Sequence, residues 1–379
     1  MEFTLSPEQE LIRTTARDMC TKECPPSLVR AHMTDHSVAS QPWSALKQWV
    51  SVADGSMADL CLFLEEAGAV LLPGPFFATT SLFMPLLRSI SSSAGGDIAG
   101  GGSTSSDGSA QVADLLAEAS AGKLTGTVAL AGADSRWEVN DGPIKSFVPE
   151  AERVDLIALV SGAASDLTGD LTGDSNDLTK GARDNSNAAS VTLFRSEDVA
   201  IHPVGTIDPS RRLAEVDTSG AAPILEPMDI GANVVDDLLA RACTALSAEL
   251  MGTARWLLDT TITYASNRRQ FGKPIGSFQA IKHKLADVAL LHEQAWSSVY
   301  YAAMCIDAND PARRRSAHVA KVMASHAAIR CAKEAIQIHG GVGYTWEHDL
   351  HLYLRRAFAT EDILGTSDWH LDRLADDLM

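Results

Sequence analysis

Positive charge is scarce in this chain. Over 379 residues, 31 lysines and arginines face 49 aspartates and glutamates, for a formal net charge of −18. That balance argues against nucleic acid or an anionic membrane surface as a partner. No run of 18 apolar residues occurs, so no transmembrane helix is expected. The first ten residues, Met-Glu-Phe-Thr-Leu-Ser-Pro-Glu-Gln-Glu, lack a basic stretch followed by an apolar one, so no secretory leader is expected there. The six cysteines are scattered. Cys20 and Cys24 stand four apart, but no second cysteine or histidine pair follows at metal-ligand spacing. The reading is ordinary thiols in a reducing, cytoplasmic setting with no metal centre.

What is present divides into three. Ser6-Pro7 followed by acidic residues is a helix start. Apolar spacing continues it to about Lys22, and further helices are expected over Trp43–Val50, Ala58–Leu72, Ser81–Ile90 and Val112–Ala119. Residues 91–110 are almost entirely Ser, Gly, Ala, Thr and Asp and read as a linker. Short apolar or alternating runs predict strands at 125–131, 144–148, 154–160, 191–194 and 199–203. Between them, residues 165–187 carry a repeated Asp-Leu-Thr-Gly. The repeat invites a calcium-loop reading but lacks the full ligand ladder, and a polar insertion fits it better. From Val234 onward the pattern is helical, with breaks at 266–278, at Asn309-Asp-Pro-Ala and at Gly340-Gly-Val-Gly. The expected fold class is α+β. It comprises a shortened N-terminal helical domain (1–110), a small antiparallel β-domain (111–230) and a C-terminal bundle of four or five helices (231–379). Arg313-Arg-Arg, at the start of one helix, reads as a solvated face or as a contact to a phosphate or another subunit.

Tyr264 to Gln279 is the most specific stretch. It joins two long helical patterns through a basic, aromatic connection broken by Gly272, Pro274 and Gly276. Arg268-x-x-Phe271-Gly272, then Phe278-Gln279 and His283-x-Leu-Ala-Asp287, resembles the signature of the acyl-CoA dehydrogenase family. About sixty residues on, Gln337-Ile-His-Gly-Gly-Val-Gly-Tyr-Thr-Trp-Glu-His348 resembles that family's second block. The resemblance is dense from residue 233 to the end. It is eroded in the first 90 residues, where Glu65-Glu66-Ala-Gly and Leu-Leu-Pro-Gly-Pro-Phe still carry it, and weak in between.

The resemblance implies removal of a proton α to an acyl-CoA thioester and of a hydride from the β carbon. No side chain accepts a hydride, so FAD is implied. It further implies that the flavin's pyrophosphate and adenosine reach a neighbouring subunit's bundle. There Arg268 resembles the pyrophosphate clamp, Phe271 and Gln279 further contacts, and Gln337, Gly340 and Gly341 the place where backbone approaches ADP. Three departures stand out. The glycine-rich stretch expected between Trp49 and Met57 is missing. The Thr-Glu-Pro flavin motif has no counterpart in Val128-Ala-Leu-Ala-Gly-Ala-Asp, before Trp137. The base position of most relatives holds Leu364, and that of a minority, by ungapped count, holds Ala242. Glu249, on an otherwise apolar helix face, is the candidate base, with a pKa expected to rise by desolvation. The other reading of Glu249 is a packed carboxylate bonded to a neighbouring helix or arginine. Glu361 and Asp362 are further candidates, read as capping the last helix or facing solvent. The implied partners are an acyl-CoA thioester (bulky steroid or branched), a related subunit in a hetero-oligomer, and electron-transfer flavoprotein or a similar acceptor. A standalone homotetramer and a non-catalytic structural subunit are the alternatives.

Overall fold

In the computed structural model, residues 4–35, 38, 40–93, 106–132, 137, 140–162 and 189–376 are described. The 165–187 segment, and with it the calcium-loop reading, lies outside them, as does most of the 91–110 stretch. The N-terminal part is helical: α1 (Pro7–Glu23), α2 (Pro26–His32), α3 (Ser40–Leu46), α4 (Met57–Ala69), α5 (Met84–Ser93) and α6 (Ser106–Ser120). Helix α6 therefore begins five residues inside the expected linker. Ser6 caps α1 through a reciprocal pair with Gln9, and Pro7 follows at a position where a missing N–H costs nothing. Ser56 caps α4. The Asp307 carboxylate also accepts from the Met57 and Ala58 N–H groups at 2.5 and 3.1 Å, placing an anion at a helix N-terminus.

Seven strands follow: β1 (Gly126–Ala129), β2 (Ile144–Pro149), β3 (Leu156–Gly162), β4 (Ala189–Arg195), β5 (Ala200–Val204), β6 (Leu213–Asp217) and β7 (Met228–Ile230). They form a sheet of order β1-β3-β4-β7 and a second of order β2-β6-β5. Every pairing among them is antiparallel except β1 with β3, which run parallel. Strands β6 and β7 were not foreseen. Their five and three residues are too short, and Leu213-Ala-Glu-Val-Asp too polar at its ends, to stand out in the sequence.

The remainder is a bundle of α7 (Ala232–Asn267), α8 (Gln279–Asp307), α9 (Arg313–His339), α10 (Leu350–Asp362) and α11 (Ser367–Asp376). Helix α7, at 36 residues, is about 54 Å long and touches α4, α8, α9 and α10. Against it α9 presents a seam of small buried residues, among them Ala317, Ala320, Ala324, Ala328 and Ala335, which lets the two backbones approach. The α4–α7 crossing is tighter still. A Cβ built on Gly252 would lie 1.7 Å from the Glu65 carbonyl oxygen, and one on Gly68 would lie 1.9 Å from that of Glu249. No described helix is long and apolar enough to cross a membrane.

Candidate functional site

The two family-like blocks meet at one end of the bundle. Tyr264, near the end of α7, stacks on His339 at the end of α9 with ring centroids 4.1 Å apart, and its hydroxyl donates to the His339 carbonyl at 3.3 Å. This holds the Arg268 connection beside Gly340 and Gly341. The connection is a miniature hairpin of β8 (Arg269–Gln270) and β9 (Lys273–Pro274), turning at Phe271 (φ 53°) and Gly272 (φ 79°). Two consecutive positive φ angles are what a two-residue hairpin turn needs, and an aromatic residue reaches that region only at a cost. The turn leaves Phe271 91% exposed. Arg268, Gln279, Gln337, Gly340 and Gly341 are exposed as well, and Arg268 makes no ion pair among the described residues. Added Cβ atoms on Gly340 or Gly341 would meet nothing within 4 Å. The chain's own packing therefore does not demand glycine at 341. Space left open above bare backbone beside an unpaired guanidinium suits a phosphate-bearing group approaching from outside the chain.

Glu249 is not a lone carboxylate. Its Oε1 accepts from Arg356 at 2.7 Å and also from Arg211. Arg356, 1% exposed, further donates to Asp208 at 2.5 Å and to Ser210 at 2.9 Å. Arg211 lies over the Phe77 ring at 5.5 Å. Burial alone would raise the Glu249 carboxyl, but the two guanidinium groups outweigh it and hold the pKa below the ordinary carboxylate value. The expected upward shift is thus reversed, and the surroundings are those of the packed-carboxylate reading. The network ties the β5–β6 connection to α7 and α10 and lines a cleft of about 440 Å³ with Phe76 and Glu150.

A different cleft, of about 510 Å³, opens where the β-region meets the last loop. It is lined by Trp137, by Asp236, Leu239, Ala240 and Cys243 of α7, by Arg314 and His318 of α9, and by Leu364 and Trp369. Leu364, the position that carries the base in most relatives, closes this cleft with a left-handed backbone (φ 61°). Such strain persists where surroundings over-determine it. Here the buried Lys321 ammonium donates to the Glu361 and Gly365 carbonyls at 2.7 and 3.1 Å, and the Cys243 thiol to that of Leu364 at 3.8 Å. Burial pushes Lys321 down to about 8. Ala242 is fully buried and does not line the cleft; its neighbour Cys243 does. Glu361 accepts from the Ser367 N–H at 3.0 Å, capping α11, and Asp362 is exposed. Trp137 Nε1 donates to the Asp362 carbonyl at 3.1 Å, bridging the β-region to the loop.

Asp236 was missed by sequence reasoning. Its Oδ2 accepts from Arg314 at 3.0 Å, while Oδ1 is buried with no hydrogen-bond partner among the described residues. The adjacent Asp237 takes Arg313 and a second donor of Arg314. The available signal was complementary charge, with Asp236-Asp237 opening one helix and Arg313-Arg314 opening another. These two arginines are consequently committed to an intramolecular network.

Residues 229–379 match the family model described as acyl-CoA dehydrogenase, C-terminal domain. Acyl-CoA dehydrogenase IpdE2 of Mycolicibacterium smegmatis is 30% identical over 383 aligned residues, which cover 98% of this chain and 98% of that protein. The crystal structure of the ChsE4-ChsE5 complex from Mycobacterium tuberculosis superposes with a TM-score of 0.79 at 22% identity, covering 100% of this chain and 99% of that one. The Tcur3481-Tcur3483 steroid acyl-CoA dehydrogenase superposes with a TM-score of 0.77 at 21% identity, covering 99% and 98%.

Proposed function

Because the chain belongs to the acyl-CoA dehydrogenase family, whose cofactor is FAD, we propose that it is one subunit of a heteromeric enzyme dehydrogenating an acyl-CoA thioester between its α and β carbons. The observation that carries this reading is the exposed, unpaired Arg268 beside the open Gly340-Gly341 backbone. These groups would hold the pyrophosphate and adenosine end of FAD, with Phe271, Gln279 and Gln337 around it. Bound there, FAD supplies the hydride acceptor that no side chain offers. The chain's own part is to fix the phosphates by a permanently charged, two-pronged donor and to present backbone without steric bulk.

A related subunit as partner is supported by the two structural neighbours, each a pair of different chains, and a bulky steroid-type acyl group by the name of one of them. Electron-transfer flavoprotein, or an acceptor like it, would reoxidise the flavin. The working division of the chain is at residues 110 and 230, with the bundle carrying the shared cofactor face.

Arg268→Ala is expected to strip the purified complex of flavin while its melting temperature stays close to that of the protein without flavin. The side chain is exposed and unpaired, so its removal costs the fold little. Flavin absorbance per mole of complex measures the effect. Stoichiometric flavin at unchanged affinity would refute the assignment. Expression of the chain alone addresses assembly: a yellow, active homo-oligomer would refute the heteromeric reading.

A further inference from the structure

We infer that Asp236 is the base that removes the α-proton of the thioester in the cleft between the β-region and the last loop. This rests on the acyl-CoA dehydrogenase reading above and supplies the group which that reading lacks. A base must face the reacting carbon with one oxygen free to accept a proton. Leu364 and Ala242 cannot serve. Glu249 has its accepting oxygen shared between two arginines and faces the other cleft. Glu361 is engaged with the Ser367 N–H, and Asp362 does not line the cleft.

Asp236 meets each requirement. It shares the cleft with Leu364, the wall from which relatives deliver their base. Asp236, Leu239, Ala240 and Cys243 recur at helical spacing and form one stripe along α7, so the carboxylate stands on rigid scaffold. Arg314 anchors Oδ2 and leaves Oδ1 desolvated and unbonded. A buried acceptor without a donor is costly in a folded protein, and such groups call for a role. Burial raises the Asp236 carboxyl above its ordinary value, Asp237 adds to the rise, and Arg314 opposes it. A more basic carboxylate suits proton abstraction. Trp137, Trp369, Leu239 and Leu364 around it provide apolar surface that keeps water from the oxygen.

In the step, the α C–H bond breaks and its proton passes to Asp236 Oδ1. The electron pair moves into the thioester as the β-hydride leaves for the flavin, which is the oxidant.

The test isolates the proton. 3-Thiaoctanoyl-CoA has sulfur at the β position and no hydride to lose, so in D₂O the flavin-loaded complex can only exchange its α-hydrogens, and mass spectrometry counts the deuterium gained. Wild type should exchange. Asp236→Asn should slow exchange by about 10²–10⁴-fold, the usual contribution of a general base. Asp236→Glu keeps the charge that pairs with Arg314, so it should assemble, and it displaces the free oxygen by one carbon–carbon bond, for a loss of about tenfold or more. Exchange at the wild-type rate in either variant overturns the assignment. No exchange by the flavin-loaded wild type overturns the acyl-CoA reading itself.

Discussion

Replacing Glu249 by alanine should destabilise the protein by about 3–5 kcal/mol, the usual penalty for removing one partner of a buried ion pair. Two guanidinium groups, one 1% and the other 8% exposed, would remain with only Asp208 to balance them. The loss reaches beyond α7, because Arg356 and Arg211 are the means by which α10 and the β5–β6 connection hold that helix. A melting temperature within a few degrees of wild type would show that the network contributes little. Acidity should reproduce the effect. The Glu249 and Asp208 carboxyls are both held below their ordinary values in the folded state. Their contribution is complete above the unfolded-state pKa values, near 4.5 and 3.8, and is lost as pH falls through the lower folded-state values. Wild type should therefore lose stability more steeply than Glu249→Ala on acidification below about pH 4.5. Glu249→Gln separates packing from catalysis, since a variant that still assembles should exchange substrate α-protons at the wild-type rate.

The sequence was most legible where a local rule acts alone. Ser6 with Pro7 and Gln9 starts a helix by chemistry contained in four residues, and Gly272 and Pro274 interrupt one in the same way. The five bundle helices were readable from apolar spacing, and the Arg268 and Gly340 blocks from motif. The structure adds that Tyr264 and His339 bring those blocks together. Illegible were the features made by distant partners. Glu249 sits on an apolar face, and nothing nearby in sequence announces Arg211 or Arg356, 38 positions before it and 107 after. Desolvation was therefore judged without the charges that reverse it. Asp236 was hidden for the opposite reason. An acidic pair at the start of a helix is so ordinary that only the cleft, and the unbonded Oδ1, set one of the two apart. The parallel β1–β3 pair escaped because alternation reports which face is buried, not the direction of the neighbouring strand.

Gly252→Ala should be the most damaging of the small substitutions and should abolish soluble protein. The added methyl would sit 1.7 Å from the Glu65 carbonyl oxygen and 2.7 Å from the Ala69 nitrogen. Both are backbone atoms of α4, so no side-chain rotation relieves the clash and the two helices must separate. Overpacking a core commonly costs about 1–3 kcal/mol when side chains can shift. Here the separation also breaks the contacts that depend on close approach. Thr253 Oγ1 donates to the Gly68 carbonyl at 3.2 Å, and Arg255 pairs with both Glu65 and Glu66. Glu65, 5% exposed, and Glu66, 2% exposed, would lose that shared partner at once, although Trp296 still donates to the first and Arg17 to the second. Gly341→Ala is the control of equal chemical size. Its methyl meets nothing within 4 Å in this chain, so the fold should be unaffected while flavin affinity falls. Soluble yield, melting temperature and flavin content of the two variants give the comparison. A soluble Gly252→Ala protein melting like wild type would mean that α4 and α7 do not cross as closely as these glycines require.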